Sequence, residues 1–237
     1  MDLVTTAPRR PAATSSGRSP AKRSAPSSDD TKAKIIEAAL DCLAAEGIVG
    51  VSARSIARHG DFNQALIFYH FGSVDGLLAA AALRESELRS DRYAEPLSKV
   101  SSLPDLVGVA RQLYDTEFRE DGTAMLVQLL AGSSSSTTVR DGVLEGFTAW
   151  MQLIDDAVER VLRGTPLAGL LPVPDVSLAI ASMFVGMDMI TRLDDDRERA
   201  DSLLGTLEML GTLVDGLLKA LPADAITPNP TATTPTD

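Results

Sequence analysis

The chain lacks most of the residues that secreted, metal-binding and membrane proteins rely on. Its 237 residues include one cysteine, Cys42, so no disulfide can form within the chain, and we expect a cytoplasmic protein. Two histidines and one cysteine are too few for an ordinary zinc site, and the sequence predicts no metal and no cofactor. No apolar run approaches the ~18–20 residues of a membrane span. The nearest, 176–190, is interrupted by Asp188, so we expect no contact with a membrane.

The sequence also lacks the motifs of common enzymes. It has no Gly-rich phosphate loop, no Gly-x-Ser-x-Gly and no His-Glu-x-x-His. Its acidic groups, such as Asp155 with Asp156 and the run 194–196, are interpreted as solvated surface or loop positions. We therefore expect that the protein is not an enzyme.

The net charge of −11 conceals a basic N-terminus. Residues 1–34 carry seven basic and three acidic side chains, so the rest of the chain is strongly acidic. Such segregation is expected when one end of a protein meets phosphate. Residues 1–28 are rich in Pro, Ser, Ala and Arg, and like 222–237 they are predicted to be disordered. The basic tail is interpreted either as an arm that assists DNA binding or as a solvated segment.

Apolar spacing, caps and breaks between the two tails predict an all-α fold of about nine helices. We expect a three-helix N-terminal bundle over 29–76 and a larger helical domain over 77–221. The predicted helices cover about 31–46, a short pair on either side of 59–61, and then 73–92, 104–120, 123–131, 138–163, 175–193 and 197–220.

The most informative stretch is 51–78, where the short pair of helices has the layout of a helix-turn-helix. Ser52 is predicted to cap the first short helix and Asn63 the second. Each cap is flanked by apolar residues at the spacing of a hydrophobic staple. These flanking pairs are Val51 with Ile56, and Phe62 with Ile67.

The second short helix has an unusual outward face. At about 100° per residue, Ile67 is predicted to face the core and Tyr69 to point almost directly away from it. Polar and aromatic residues on such a face suit a DNA groove, where Gln can pair with adenine and Ala or Leu can contact thymine methyls. The alternative is a small helix packed against another domain. The expected outward residues are Gln64, Ala65, Leu66, Phe68 and Tyr69.

In these segments the sequence resembles the TetR/AcrR family of bacterial regulators. The matching segments are TKAKIIEAALDCLAAEG (31–47), SARSIAR (52–58) and ALIFYHFGSVDGLL (65–78), within a resemblance that spans about 31–92. It implies an N-terminal DNA-binding domain, a C-terminal ligand-binding and dimerisation domain, and homodimers on palindromic double-stranded operators. The implied DNA contacts are Lys32 or Lys34, Ser52, Arg54, Asn63, Gln64, Ala65, Leu66, Phe68, Tyr69 and His70.

Three positions depart from the family pattern. Asp61 replaces the usual turn glycine, although Gly60 precedes it, and we expect the turn to survive because Asp tolerates left-handed geometry. Phe68 lacks the hydroxyl of the usual tyrosine, and Val74 replaces a common lysine. Two phosphate anchors are therefore missing, and we expect the basic N-terminal tail to compensate in part.

The last two helices carry more apolar residues than one side of a small domain needs. Leucines recur along 203–221 at alternating three- and four-residue steps, and 180–190 carries a second apolar stripe. The two helices are predicted to form a four-helix bundle across a two-fold axis, giving a homodimer. A purely intramolecular core is the alternative.

A small-molecule effector site is predicted between the fifth and eighth helices. Apolar walls with a few polar groups are typical of such a site, and also of an ordinary core. Asp188 needs a partner if it is buried, either Arg192 or a cationic ligand. The candidate ligand-binding residues are Tyr114, Phe118, Met125, Gln128, Phe147, Trp150, Met151, Met187 and Asp188.

These features favour a homodimeric repressor that an apolar ligand releases from its operator. An activator of the same family, or a helical carrier of an apolar molecule whose N-terminal helices contact a protein, remain alternatives.

Overall fold

The computed structural model describes residues 27–120, 122–194 and 196–220, and within them it contains nine α-helices and no strand. The predicted all-α fold is confirmed. Nearly all of the predicted tails, 1–28 and 222–237, lies outside the described residues. The helices are α1 (Ser28–Gly50), α2 (Ala53–Gly60), α3 (Ala65–Phe71), α4 (Val74–Ser98), α5 (Leu103–Glu120), α6 (Gly122–Ser133), α7 (Thr137–Leu162), α8 (Val173–Asp194) and α9 (Glu198–Ala220).

The first helix is longer than predicted at both ends. Ser27 and Asp30 form a capping box, in which the Ser27 hydroxyl accepts from the Asp30 amide and the Asp30 carboxylate accepts from the Ser27 amide, each at 3.0 Å. The predicted stop at Gly47 is a kink instead, where φ of 66° interrupts the helical geometry before α1 resumes to Gly50. Glycine allows this left-handed backbone without steric cost.

The fourth helix also continues past its predicted end at Arg92. It runs to Ser98 with Pro96 in its last turn, although proline has no N–H to donate to the Arg92 carbonyl. Buried Tyr93 and Leu97 anchor this turn in the core of the larger domain. Tertiary packing therefore extends a helix that the sequence pattern alone ends early.

Three hydrophobic clusters organise the molecule. The first lies among α1–α4 and contains buried Ile35, Cys42, Ile56 and Ile67. The largest lies among α4, α5, α7, α8 and α9. The third joins the two domains, because residues from α1, α4, α6 and α7 meet in it; its buried members are Leu43, Leu78, Ala82, Leu129, Val139 and Val143.

Two glycines bring α7 into backbone contact with α4. A Cβ on Gly142 would lie 2.8 Å from the Cα of Ala79, and one on Gly146 would lie 2.7 Å from the Cβ of Ser86. The Ser86 hydroxyl also donates to the Gly146 carbonyl. Because α4 runs from the N-terminal three-helix bundle into the larger domain, this contact ties the bundle to α7.

The prediction that no apolar run approaches a membrane span is wrong for α8. The helix is long and apolar enough to cross a membrane by length and composition, even though Asp188 and one further charged residue lie within its apolar stretch. Only 28% of this apolar stretch of α8 is buried within the chain. Asp188 itself is fully buried and paired to Arg192, so the helix presents its exposed apolar side on another face.

Candidate DNA-binding surface and ligand site

The predicted cap of α2 is confirmed. Ser52 and Ser55 form a reciprocal capping box: the Ser52 hydroxyl accepts from the Ser55 amide at 3.1 Å, and the Ser55 hydroxyl accepts from the Ser52 amide at 2.8 Å. The Ser55 hydroxyl also lies 2.9 Å from the Gly50 carbonyl, to which it can donate. These bonds fix the angle at which the chain enters α2.

The turn between α2 and α3 has the expected left-handed residue at Asp61, with φ of 50° and ψ of 57°. Gly60 is required for a different reason. A Cβ there would lie 2.2 Å from the Phe62 ring, so only glycine leaves room for that ring. The turn therefore keeps its shape with Asp in place of glycine.

Asn63 holds the start of α3, although not as the residue directly before the helix. Its side-chain oxygen accepts from the Ala65 amide at 2.9 Å. Gln64 lies between them and makes no cap hydrogen bond, so its exposed side chain is available for another partner.

The outward face of α3 matches the prediction in all but one residue. Ile67 is fully buried, whereas Phe68 is 51% exposed and Tyr69 is 81% exposed. Leu66 is half-buried and packs against the first hydrophobic cluster, so it belongs partly to the core. His70 is half-buried, and its ring meets the Tyr69 ring edge-on at 4.8 Å between centroids.

The charge of this domain is unusual for a DNA-binding surface. Residues 27–76 contain seven acidic side chains and only four lysines and arginines. Arg58 is held by Glu46 at 2.6 Å, while Arg54, Lys32 and Lys34 are exposed and make no ion pair among the described residues. The five basic residues of 1–26 lie outside the described residues.

The departure at Val74 has a structural reason. Val74 is half-buried and packs against both the first cluster and the cluster that joins the domains. A lysine there would have to extend out of this packing to reach phosphate.

The interior of the larger domain contains two small cavities that share one wall. A cavity of about 30 Å³ lies among α4, α6 and α7, and one of about 40 Å³ lies among α4, α5, α7 and α8. Trp150 lines both cavities. Each holds no more than a few water molecules, far below the ~300–1,000 Å³ of a typical ligand pocket.

Only part of the predicted ligand-binding set surrounds these cavities. Phe147 and Trp150 line the first one, and their rings meet at 5.3 Å. Met125 packs in the cluster that joins the domains, and Met151 is half-buried against the large core. Tyr114, Phe118, Met187 and Asp188 lie in or against that core and line neither cavity.

Asp188 has the partner that its burial requires. The Arg192 Nε donates to its Oδ2 at 2.7 Å, and an Arg192 Nη donates to the Glu117 carbonyl at 3.2 Å. Next to this pair the Tyr114 and Thr191 hydroxyls lie 2.9 Å apart. The arginine alternative is therefore the one observed, and α8 is fastened to the end of α5.

A second buried carboxylate, Glu117, escaped the sequence analysis. It is fully buried and paired with Arg89 at 3.4 Å and Arg92 at 3.3 Å. Burial raises the pKa of nearby Tyr93, and burial likewise raises that of Glu85, which pairs with Arg89. The sequence did contain a signal for it. Glu117 follows Tyr114 by three residues and so lies on the same face of the helix. A carboxylate among apolar residues is the same signal that singled out Asp188.

A surface groove of about 390 Å³ runs between α6 and α8 and contains predicted residue Gln128. The Ile48 amide donates to the Gln128 Oε1 at 2.9 Å, across the junction between the domains. Gln128 also lies over the kink at Gly47, where a Cβ would be 3.5 Å from its Oε1. The same side chain therefore lines the groove and contacts the DNA-binding domain.

Residues 35–81 match the model of the tetR family of bacterial regulatory proteins. These residues form a helix-turn-helix domain of the TetR type. The match covers the helix-turn-helix and the start of α4, so the resemblance seen in the sequence is confirmed. Proteins of this family are bacterial regulatory proteins. No curated protein sequence matches the chain.

Solved structures share the fold of this chain at low sequence identity. A TetR-family regulator from Rhodococcus sp. superposes with a TM-score of 0.65 at 19% identity, covering 76% of this chain and 97% of that one. NemR from E. coli gives 0.65 at 16%, covering 76% and 96%. FadR from Bacillus subtilis, in complex with stearoyl-CoA, gives 0.59 at 15%, covering 75% and 96%.

Proposed function

We propose that this chain is a homodimeric repressor of the TetR family that an apolar small-molecule ligand releases from a palindromic operator. The observation that carries the DNA-binding part is the exposure of Tyr69 and Phe68 on α3, directly beside fully buried Ile67. Large exposed aromatics beside Gln64 and Ala65 suit the edges of bases in the major groove. A carrier protein would have no need of this face.

Exposed apolar side chains on α8 and α9 support the homodimer. Buried Leu204 and Gly211 turn one side of α9 inward, and the opposite side remains uncovered. A two-fold four-helix bundle would bury these residues and place two α3 helices about 34–36 Å apart. The exposed set is Leu178, Met189, Ile190 and Leu193 on α8, with Leu203, Met209, Leu210, Leu213, Val214 and Leu217 on α9.

We place the ligand at the two cavities that Trp150 separates. Their walls are almost entirely apolar, except for Glu85, Ser86 and Arg89 at the edge of the first. Rotation of the Trp150 indole would join the cavities, and a ligand must supply this opening because neither has room for one. A mainly apolar molecule with a polar group near Glu85 and Arg89 fits this lining best.

We propose that Gln128 couples the ligand to the DNA-binding domain. A ligand that displaces α6 removes the acceptor of the Ile48 amide and frees the Gly47 kink. The close contact of Gly142 and Gly146 with α4 means that α4 and α7 move as one unit. A ligand that prefers the released state by about 1–3 kcal/mol lowers operator affinity roughly 5–150-fold.

Footprinting on the DNA that flanks the chain's own gene tests the DNA-binding part. We expect protection of a two-fold symmetric sequence by the full chain, and its loss with Tyr69→Ala. A matched control is Tyr114→Phe, which keeps α3 intact. Absence of protection at low salt would favour the carrier alternative.

The ligand part is tested with the fluorescence of Trp150, the only tryptophan in the chain. Stearoyl-CoA is the first probe because it is bound to the FadR structure that shares this fold. We expect a change of Trp150 emission and release of operator DNA at the same concentrations. Emission and DNA binding that stay constant would exclude long-chain acyl-CoA as the ligand.

Gln128→Leu tests the coupling, with Gln112→Leu on the exposed face of α5 as its control. We expect Gln128→Leu to bind the probe but to shrink the ligand-induced loss of DNA affinity several-fold. Equal responses from the two variants would contradict the coupling role.

A further inference from the structure

A group of side chains at the edge of the first hydrophobic cluster is not among the predicted DNA contacts. Cys42 and Glu46 lie one helical turn apart on α1, and His59 lies on α2. One ligand atom from each, the Cys42 Sγ, a Glu46 carboxylate oxygen and a His59 ring nitrogen, all lie within 4.8 Å of one another. They are the chain's single cysteine and one of its two histidines.

We propose that Cys42, Glu46 and His59 form a binding site for a thiophilic divalent cation, Zn²⁺, that fastens α1 to α2. Counting histidines and cysteines predicts no zinc site, because that count leaves out the carboxylate that supplies the third ligand. Thiolate, imidazole and carboxylate are the three ligand types that Zn²⁺ uses in proteins.

The distances fit this ion. Zn²⁺ binds S at about 2.3 Å and N or O at about 2.0–2.2 Å, so tetrahedral ligands lie roughly 3.2–3.8 Å apart. The His59 Nε2 and Glu46 Oε1 are 2.9 Å apart, a hydrogen-bond distance slightly shorter than this range. The Cys42 Sγ lies within 4.8 Å of both atoms. Small rotations of the three side chains therefore bring all three ligand atoms to binding distance.

Burial also suits a bound cation. Cys42 is fully buried, while the Glu46 and His59 side chains are 30% and 25% exposed. The ion enters from the solvent side and meets the thiol at the base of the site. Coordination releases the thiol proton to solvent, and water takes the fourth position on the open side.

Arg58 competes with the cation for the same oxygen. Its Nη2 donates to the Glu46 Oε1 at 2.6 Å, and the arginine side chain is 65% exposed, so it can swing into solvent. The cation replaces this guanidinium as the positive partner of the carboxylate. Removal of Arg58 should therefore strengthen metal binding, an effect opposite to that of removing a ligand.

Co²⁺ titration of the full chain after EDTA treatment tests the site, because Co²⁺ takes the same geometry and absorbs light. We expect a single Co²⁺ per chain, with near-ultraviolet thiolate charge transfer and the visible bands of tetrahedral coordination. Cys42→Ser should lose the charge transfer. Glu46→Gln and His59→Gln should weaken binding by more than about tenfold, since even outer-shell changes cost roughly 10–100-fold.

His70→Gln is the matched histidine control and should bind Co²⁺ as the unmodified chain does, while Arg58→Ala should bind several-fold more tightly. Glu46 and His59 are partly exposed, so their variants should keep the helical circular dichroism of the unmodified chain. Zn²⁺ should raise the melting temperature of the chain but not that of His59→Gln. Absence of a thiolate band, equal binding by His59→Gln and His70→Gln, or weaker binding by Arg58→Ala would overturn the proposal.

Discussion

The two domains are specified in different ways. The DNA-binding domain is set by contacts between residues close in sequence, such as the Ser52–Ser55 capping box and the left-handed Asp61. The larger domain is fastened by ion pairs between residues that are far apart in sequence, such as Glu117 of α5 with Arg89 of α4. The first domain also exposes the side chains that we propose to contact DNA, whereas the second encloses those that we propose to contact the ligand.

This contrast suits the partners that we propose for the two domains. DNA is rigid and external, so its reader must present a fixed surface, and short-range caps fix α3 at low entropic cost. A small ligand must be enclosed, so its site is closed until the ligand enters. Buried ion pairs suit such a domain, because they penalise wrong arrangements of the helices more than they stabilise the right one.

The largest expected effect is the loss of Glu117. Glu117→Ala leaves buried Arg89 and half-buried Arg92 without their shared carboxylate, and removing one partner of a buried pair costs about 3–5 kcal/mol. We expect urea unfolding to show a loss of this size. The control Glu87→Ala breaks an exposed pair with Arg84 and should cost less than about 1 kcal/mol. Equal losses would contradict the role of buried charge in the larger domain.

Disruption of the contact between α4 and α7 should have a smaller effect on stability. Alanine substitutions at two glycines, one inside this contact and one outside it, should change stability in opposite directions. Gly142→Ala places a methyl group 2.8 Å from the Ala79 backbone and should destabilise by about 1–3 kcal/mol. Gly108→Ala on α5 meets nothing within 4 Å and should stabilise by about 0.5–1 kcal/mol. Melting temperatures that move in the same direction would show that α4 and α7 are not in close contact.

The next smaller effect concerns the capping box at the start of α2, in the first domain. Ser52→Ala removes one half of the capping box and should cost about 0.5–2 kcal/mol in the free energy of unfolding. Arg54→Ala, two residues later on the same helix, is exposed and should change stability by less than about 0.5 kcal/mol. A cost for Ser52→Ala no greater than that for Arg54→Ala would mean that α2 is held by packing alone.

The smallest effect concerns the pH dependence of stability. Burial raises the pKa of Glu85, so the folded state holds its proton to a higher pH than the unfolded state does. Its contribution to stability is therefore present below the unfolded pKa and is lost as pH rises through the folded pKa. We expect Glu85→Gln to flatten this decline in urea midpoints measured from pH 4 upward. A steeper decline would contradict the assigned direction.

The sequence predicted the first domain better than the second because its signals are local. Ser52, Asn63 and the left-handed Asp61 can each be interpreted from a few neighbouring residues, and the structure bears them out. The kink at Gly47 was mistaken for an end, since a helix that resumes after a glycine has the same pattern as one that stops.

The interior of the larger domain depended on pairing between distant positions. Asp188 and Arg192 lie one turn apart, so their pairing was one of the two alternatives that the sequence left open. Arg89 and Glu117 are far apart in sequence, and their pairing was not predicted. Aromatic composition predicted Phe147 and Trp150 at a cavity. Composition gave no information on how the packing of α7 and α8 would divide the interior into two cavities.

Selection of double-stranded DNA from a random pool tests the central claim most directly, because it needs no knowledge of the operator. The account predicts that the full chain enriches a two-fold symmetric sequence with half-sites one helical turn or more apart. Gln64→Ala should relax the preference at one base pair of each half-site and leave the others unchanged, since each bidentate pair contributes about 1–3 kcal/mol of discrimination. Failure to enrich any sequence, or an unchanged preference after both Gln64→Ala and Tyr69→Ala, would contradict α3 as the reader of DNA.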